Sequence, residues 1–324
     1  MRRLWLVLFL LLAAPPIQAK EAQIPPAGTN VAIFRDWADG QASADEVDLG
    51  EGYFLSTVEL EKGGSQLLFI LGGGQVLWAP DQDPYGRWEI MGGPWDVDGD
   101  GAVDLVFSHW SGGAHCCVTV HAFRLSPGFE VLGTITQGDG DPQYLIPRDD
   151  APPFYVHWDN AFAYWRASFA GSIGEFAAVS FKDGRFALDP TLMRASNPGE
   201  APAFARAYSD ALRGMDHPAA EAVEDMDMDA TADELAAQAA ENPTELGDEV
   251  LMPAAQVMLR LIYTGYADRV EGFLATAFPE RPVDTTGFLQ ELLKQLEHSP
   301  YFADLDALND GELSALKERL GEPE

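Results

Sequence analysis

The stretch Asp96-Val-Asp-Gly-Asp-Gly-Ala-Val-Asp104 sets four carboxylates at positions 1, 3, 5 and 9 of a short loop, with Gly101 at position 6 and Ala102 at position 7. Alternate residues of a tight loop turn inward around one centre, and calcium gathers about six to eight oxygens in this way. Glycine at position 6 permits the sharp turn, and position 7 can offer its backbone carbonyl whatever its side chain. Four carboxylates at this spacing repel one another unless a cation lies among them. Magnesium suits such a crowded cage less well, because it keeps its waters and demands an octahedron. The chemistry expected here is Ca2+ binding.

A second group follows at once in Ser111-Gly-Gly-Ala-His-Cys-Cys117, which holds the only two cysteines of the chain. Adjacent Cα atoms sit ~3.8 Å apart, short of the usual disulfide span of about 4.4–6.8 Å, so a Cys116–Cys117 bond would be a strained vicinal disulfide that locks a turn. On a strand the two side chains would instead face opposite ways, one thiol inward and one outward. His109, His115 and His121 flank the pair. His with Cys offers ligands for zinc or copper, or a thiolate–imidazole nucleophile, and the spacing matches no standard site of either kind.

The aspartate loop departs from the EF-hand, whose position 12 is a bidentate Glu; here position 12 is Phe107, inside an apolar run. A D-x-D-x-D-G-x-x-D loop running directly into a strand resembles the calcium loop of FG-GAP repeats, the blades of integrin α-subunit propellers and of many secreted bacterial proteins. The resemblance covers Trp95 to Ser111, and the loop occurs once in strict form. It implies Asp96, Asp98, Asp100 and Asp104 as ligands, with the Ala102 carbonyl. An SGGAHCC segment after such a loop, Asp96 to Leu125 in all, is similar to a recurring feature of exported bacterial proteins with FG-GAP-like domains, and implies location and a calcium-bound β domain rather than an activity.

Other groups carry less. Asp225, Asp227, Asp229 and Asp233 repeat the 1, 3, 5, 9 spacing with Ala230 where the glycine belongs, in a segment of helical character that would scatter the side chains. Trp158, Asp159, Asn160, Tyr164 and Trp165 could form an aromatic and polar surface for a sugar, or be ordinary core. Met215, His217, Met226 and Met228 are interleaved with aspartates, which suits copper poorly. No phosphate-binding glycine loop, G-x-S-x-G elbow or H-E-x-x-H motif is present.

The elements that would hold these residues fall into two parts. Before about residue 197, short runs rich in β-branched and aromatic residues alternate with Gly, Pro, Asp and Asn, the signature of strands and turns. They include NVAIFRDW, GYFLSTVEL, QLLFIL, VDLVFSHW, CVTVHAFRL, PFYVHW, YWRASFA and FAAVSFKDGRFALD, the last with a hairpin turn at Lys182–Arg185. Asp-Gly steps near Asp39, Asp98, Asp139 and Asp183 recur at intervals of roughly 40–60 residues, a loose match to propeller blades at ~40–50. After the linker Asn197–Pro202, apolar residues recur at i, i+3, i+4 and i+7, as in Leu289, Leu292, Leu293 and Leu296, with Thr285 or Thr286 as the expected cap and Pro300 as the stop.

The chain opens with Arg2 and Arg3, an apolar run from Leu4 to Ala14, two prolines and a small residue at Ala19, the layout of a signal peptide. Removing it takes the formal charge from −32 to −34, since it carries Arg2 and Arg3. So acidic a surface repels nucleic acid and anionic membranes and attracts cations. The expectation is an α+β multidomain protein: signal peptide 1–19, a mainly antiparallel β domain, sandwich or propeller-like, over 20–196, and a helical domain over 197–324. Its expected role is a periplasmic or secreted, non-catalytic calcium-binding module for a protein or carbohydrate ligand, with no membrane span after leader cleavage. Two other readings stand beside it: a periplasmic hydrolase or thiol oxidoreductase using His115 with Cys116 or Cys117, and a copper or zinc binding protein.

Overall fold

The computed structural model describes residues 24–60, 65–80, 86–113, 117–139, 145–214, 225–241 and 246–321. The expected signal peptide lies outside them. Antiparallel sheets come first and helices follow. The first sheet is a meander of β1 (Ser43–Gly50), β2 (Tyr53–Glu59), β3 (Gln66–Gly72) and β4 (Gln75–Trp78). The second is β5 (Arg87–Ile90), β6 (Leu105–Trp110), β7 (Val118–Arg124) and β8 (Glu130–Gly138). The third is β9 (Leu145–Ile146), β10 (Phe154–Trp158), β11 (Phe176–Lys182) and β12 (Arg185–Leu188). Three successive up-and-down meanders of four strands have the connectivity of propeller blades. Lys182 pairs with Arg185 across Asp183-Gly184, both at positive φ (52° and 80°), which is the primed hairpin turn expected there.

Two stretches expected as strands are not strands. NVAIFRDW is the helix α1 (Val31–Ala38): Asn30 accepts the Ala32 N–H at 2.9 Å, and Phe34 and Ala38, four apart, are buried on one face. YWRASFA turns through Tyr164 and Arg166 at φ 61° and 55° and ends in a single 3₁₀ turn, Phe169–Gly171, with Trp165 stacked on Phe288 of the helical part and Tyr164 against Phe169 of the same segment.

Strand alternation decides how the layers stack. Leu67, Phe69 and Leu71 of β3 face Phe34 and Ala38 of α1, while Leu68 and Ile70 turn to the second sheet. There they meet Trp88, Leu105, Phe107 and Phe123, with Trp78 edge-on to three of those rings at 5.3–5.7 Å. The opposite face of the second sheet presents Val106, Val120 and Ile135 to a core shared with the third sheet and the helices. β3 thus reads as an unbroken apolar run from Leu67 to Leu71, and β6 begins with one at Leu105–Phe107, because both faces are covered there. The edge strand β1 is exposed almost throughout and carries Asp45, Glu46 and Asp48, charges that discourage pairing with another sheet.

The helical part holds α2 (Pro190–Met193), α3 (Phe204–Gly214), α4 (Met228–Glu241), α5 (Asp248–Tyr263), α6 (Val270–Ala277), α7 (Pro282–Leu296), α8 (Phe302–Leu308) and α9 (Glu312–Leu320). α7 starts three residues before the expected threonine cap; Thr285 lies inside it and donates to the Arg281 carbonyl at 3.0 Å. Helices join sheets through buried polar bonds as well as apolar contact. Asp159, 2 % exposed, accepts from the Tyr263 and Ser299 hydroxyls at 2.6 and 2.5 Å. Glu175 accepts from Arg260 at 3.1 Å, and His157 meets the Tyr301 hydroxyl at 2.9 Å. Among the described residues no helix is long and apolar enough to cross a membrane.

Candidate metal centre

The aspartate loop spans the gap between β5 and β6. It is closed at its base by the Asp104 N–H, which donates to the Trp95 carbonyl at 2.6 Å. Trp95 is itself fixed by its indole N–H on the Met91 carbonyl at 3.0 Å. Inside the loop the carboxylates accept backbone N–H groups. Asp96 takes Gly101 at 3.0 Å, Asp98 takes Asp100 at 3.1 Å, Asp100 takes Ala102 at 2.7 Å, and Asp104 takes Val97 at 2.7 Å. This winding needs left-handed backbone at Gly99 and Gly101, at φ 77° and 88°, where any other residue would be strained.

The result is convergent. Asp96, Asp98 and Asp104 each place a carboxylate oxygen within 4.8 Å of the others, the one such group of three or more His, Cys, Asp or Glu among the described residues. Asp104 is 4 % exposed. One oxygen on Asp96 and one on Asp104, both named Oδ1, are buried without a hydrogen-bond partner. A buried carboxylate oxygen left unpaired costs stability unless something positive meets it. Burial pushes the Asp104 carboxyl up to about 6; the Val97 and Asp98 N–H groups oppose that shift, and the charges of Asp98 and Asp100 add to it. Asp100 stands outside the trio, with one oxygen 3.9 Å from Arg124.

Arg124, at the end of β7, escaped the sequence reading. Its Nη1 donates to the second oxygen of Asp98 at 3.1 Å, and the guanidinium also pairs with Glu130 of β8. The signal lay in strand register. Leu105 pairs with Phe123, so the next residue along β7 comes abreast of Asp104. That pairing cannot be read from one chain of letters.

The other expected groups are dispersed. His109 stacks on Trp88 at 4.1 Å, and His121 lies against Trp78 and Phe107 at 5.3 and 5.4 Å. Both sit on the aromatic face between the first two sheets, and burial pulls His121 down to about 4, with His109 adding to the effect. Cys117 is disulfide-bonded and its N–H donates to the Ser111 hydroxyl at 2.8 Å; the chain's other cysteine, Cys116, falls with Ala114 and His115 outside the described residues.

Of the aromatic and polar group, Trp158 packs on Phe176, Trp165 on Phe288, Asp159 is buried, and Asn160 donates to the Gln137 carbonyl at 2.7 Å. Tyr164 is exposed. Of the second aspartate run, Asp225 accepts the Ala201 N–H and Asp227 caps α4 through the Ala230 N–H, at 2.8 and 3.0 Å. Met226 and Met228 pack against the core, whereas Met215 and His217 fall outside the described residues.

Fold and site together define a β-meander protein with one convergent carboxylate loop. No family model matches the chain, and no curated protein or solved structure matches it at a significant level.

Proposed function

We propose that the Asp96–Asp104 loop binds Ca2+ and that the protein is an exported, non-catalytic module of the cell envelope whose β region is held in shape by that ion. The observation that carries the reading is the pair of buried, unpartnered oxygens on Asp96 and Asp104, converging with Asp98. The donor set is all oxygen, which suits a hard cation and not zinc or copper. Asp96, Asp98 and Asp104 would hold the ion, with Asp100 and the Ala102 carbonyl completing the set that the FG-GAP-like motif implies. The bound ion would supply the charge that the loop lacks, and tie β5 to β6. The export assignment rests on the N-terminal leader pattern, and the strongly acidic composition favours a cation-rich exterior.

The test is a thermal melt of the mature protein in EDTA and in calcium raised to several millimolar. An ion that binds only the folded state raises the melting temperature by mass action. A calcium-selective rise is expected. No rise with calcium, magnesium or zinc removes the reading.

A further inference from the structure

Resting on the calcium reading, we infer that Arg124 is the built-in competitor of the ion, a positioning residue that pins the ion-free loop and sets how much calcium is needed to displace it. The oxygens of the trio are not equivalent. Asp96 and Asp104 each keep one buried oxygen without a partner. Asp98 keeps none: its Oδ1 accepts the Asp100 N–H, and its Oδ2 accepts from Arg124 at 3.1 Å. Asp98 is therefore the contested ligand, which a cation gains only by sharing or replacing the guanidinium.

The pair is sheltered rather than a loose surface contact. The Asp98 side chain is 6 % exposed and that of Arg124 27 %. Such a pair has more effect than an exposed one, whose net worth is usually small. Arg124 has somewhere to go when the ion arrives. Glu130 faces it across β7 and β8 in direct register and already pairs with it. Release of Arg124 from Asp98, leaving it on Glu130 alone, would carry the loop's occupancy into the β7–β8 hairpin, which lies beside the shared core. In a chain with 20 basic and 52 acidic residues, a guanidinium placed on the metal loop also lowers the negative potential where the ion must bind.

The sign of the effect follows from charge. Removing a positive group one carboxylate away from a divalent ion tightens binding about tenfold, even at water-like screening. The same removal leaves the ion-free loop with four uncompensated carboxylates, so stability in EDTA falls. A purely structural arginine would lower stability and calcium affinity together; a competitor moves them in opposite directions.

The experiment measures Ca2+ affinity by calorimetry, and melting in EDTA, on the full mature chain as wild type, Arg124→Gln and Arg124→Lys. The expected result is binding about tenfold tighter for R124Q with a lower melting temperature in EDTA, and R124K within about threefold of wild type because it keeps the charge. Affinity for R124Q that is equal to or weaker than wild type overturns the inference while leaving the calcium reading in place. Absence of binding by wild type overturns the calcium reading instead. If R124Q does not fold in EDTA, Glu130→Gln decides: it leaves the guanidinium wholly to Asp98, so calcium should bind more weakly, and unchanged or tighter binding overturns the inference.

Discussion

Asp104→Asn separates the cost of the carboxylate from its use. The wild-type group is 4 % exposed, accepts the Val97 N–H through Oδ2 and has no partner at Oδ1. Burial raises it from 3.8 to about 6. At about 1.4 kcal/mol per pKa unit, keeping it ionised at neutral pH costs the ion-free fold about 3 kcal/mol, reduced to roughly 1–2 kcal/mol by water reaching the loop. The sign follows from linkage: a raised acid adds stability below its unfolded pKa, and loses it as pH rises through about 6. Asparagine keeps an acceptor for Val97 and carries no charge.

In EDTA at pH 7 the variant should therefore be as stable as wild type or more stable, by up to roughly 1–2 kcal/mol. In about 10 mM calcium the variant's advantage should vanish or reverse. With a dissociation constant on the order of 10⁻⁴–10⁻³ M, wild type gains about 1.4–2.7 kcal/mol, a rise of a few degrees, and the variant gains little. The assay is a pair of melting curves for each protein. A variant that is much less stable in EDTA and yet keeps the full calcium gain refutes the reasoning, because Asp104 would then be a structural acceptor and not a ligand.

Three further outcomes are expected. His121, pulled down to about 4 among aromatic rings, favours folding at neutral pH; that stability is present above its unfolded pKa of 6.5 and is lost as pH falls toward 4. His121→Phe should remove about 3 kcal/mol of the difference in wild-type stability between pH 7 and pH 4, measured by denaturant titration at both. Arg260→Met leaves Glu175 buried without its ion pair, so destabilisation of about 3–5 kcal/mol is expected by chemical denaturation, and Glu175→Gln in the same chain should restore part of it. Gly101→Ala must hold φ 88° with a side chain, so a loss of about 1–2 kcal/mol is expected, together with weaker calcium binding by calorimetry.

Much of the molecule was legible because its signals are local. The Asp183-Gly184 turn shows in the letters themselves, since only a few residue types accept positive φ at both positions. The passage from strands to helices shows as a change of apolar period, although the first helix after β12, α2 at Pro190–Met193, already precedes Asn197. NVAIFRDW has the β-branched composition of a strand, and its helix is decided by the Asn30 cap and by burial of Phe34 against Phe69 at 4.8 Å, a contact made across the fold. YWRASFA looks like a strand until Phe288 of α7 stacks on Trp165.

Residue type and spacing were enough to nominate the aspartate loop, because its four carboxylates lie within nine positions of one another and a tight turn must bring them together. They also determined the acidic composition and the succession of a sheet region by a helical one. Which carboxylates converge, and which oxygens stay without a partner, depends on burial beneath neighbouring strands. Arg124 reaches Asp98 from 26 residues away because β6 and β7 pair in one particular register. The aromatic packing of His109 and His121, and the loss of Asp159 to the interior, likewise come from sheets stacking face to face. Such contacts join residues far apart in the chain, and their geometry follows from how whole layers meet rather than from any local run of letters.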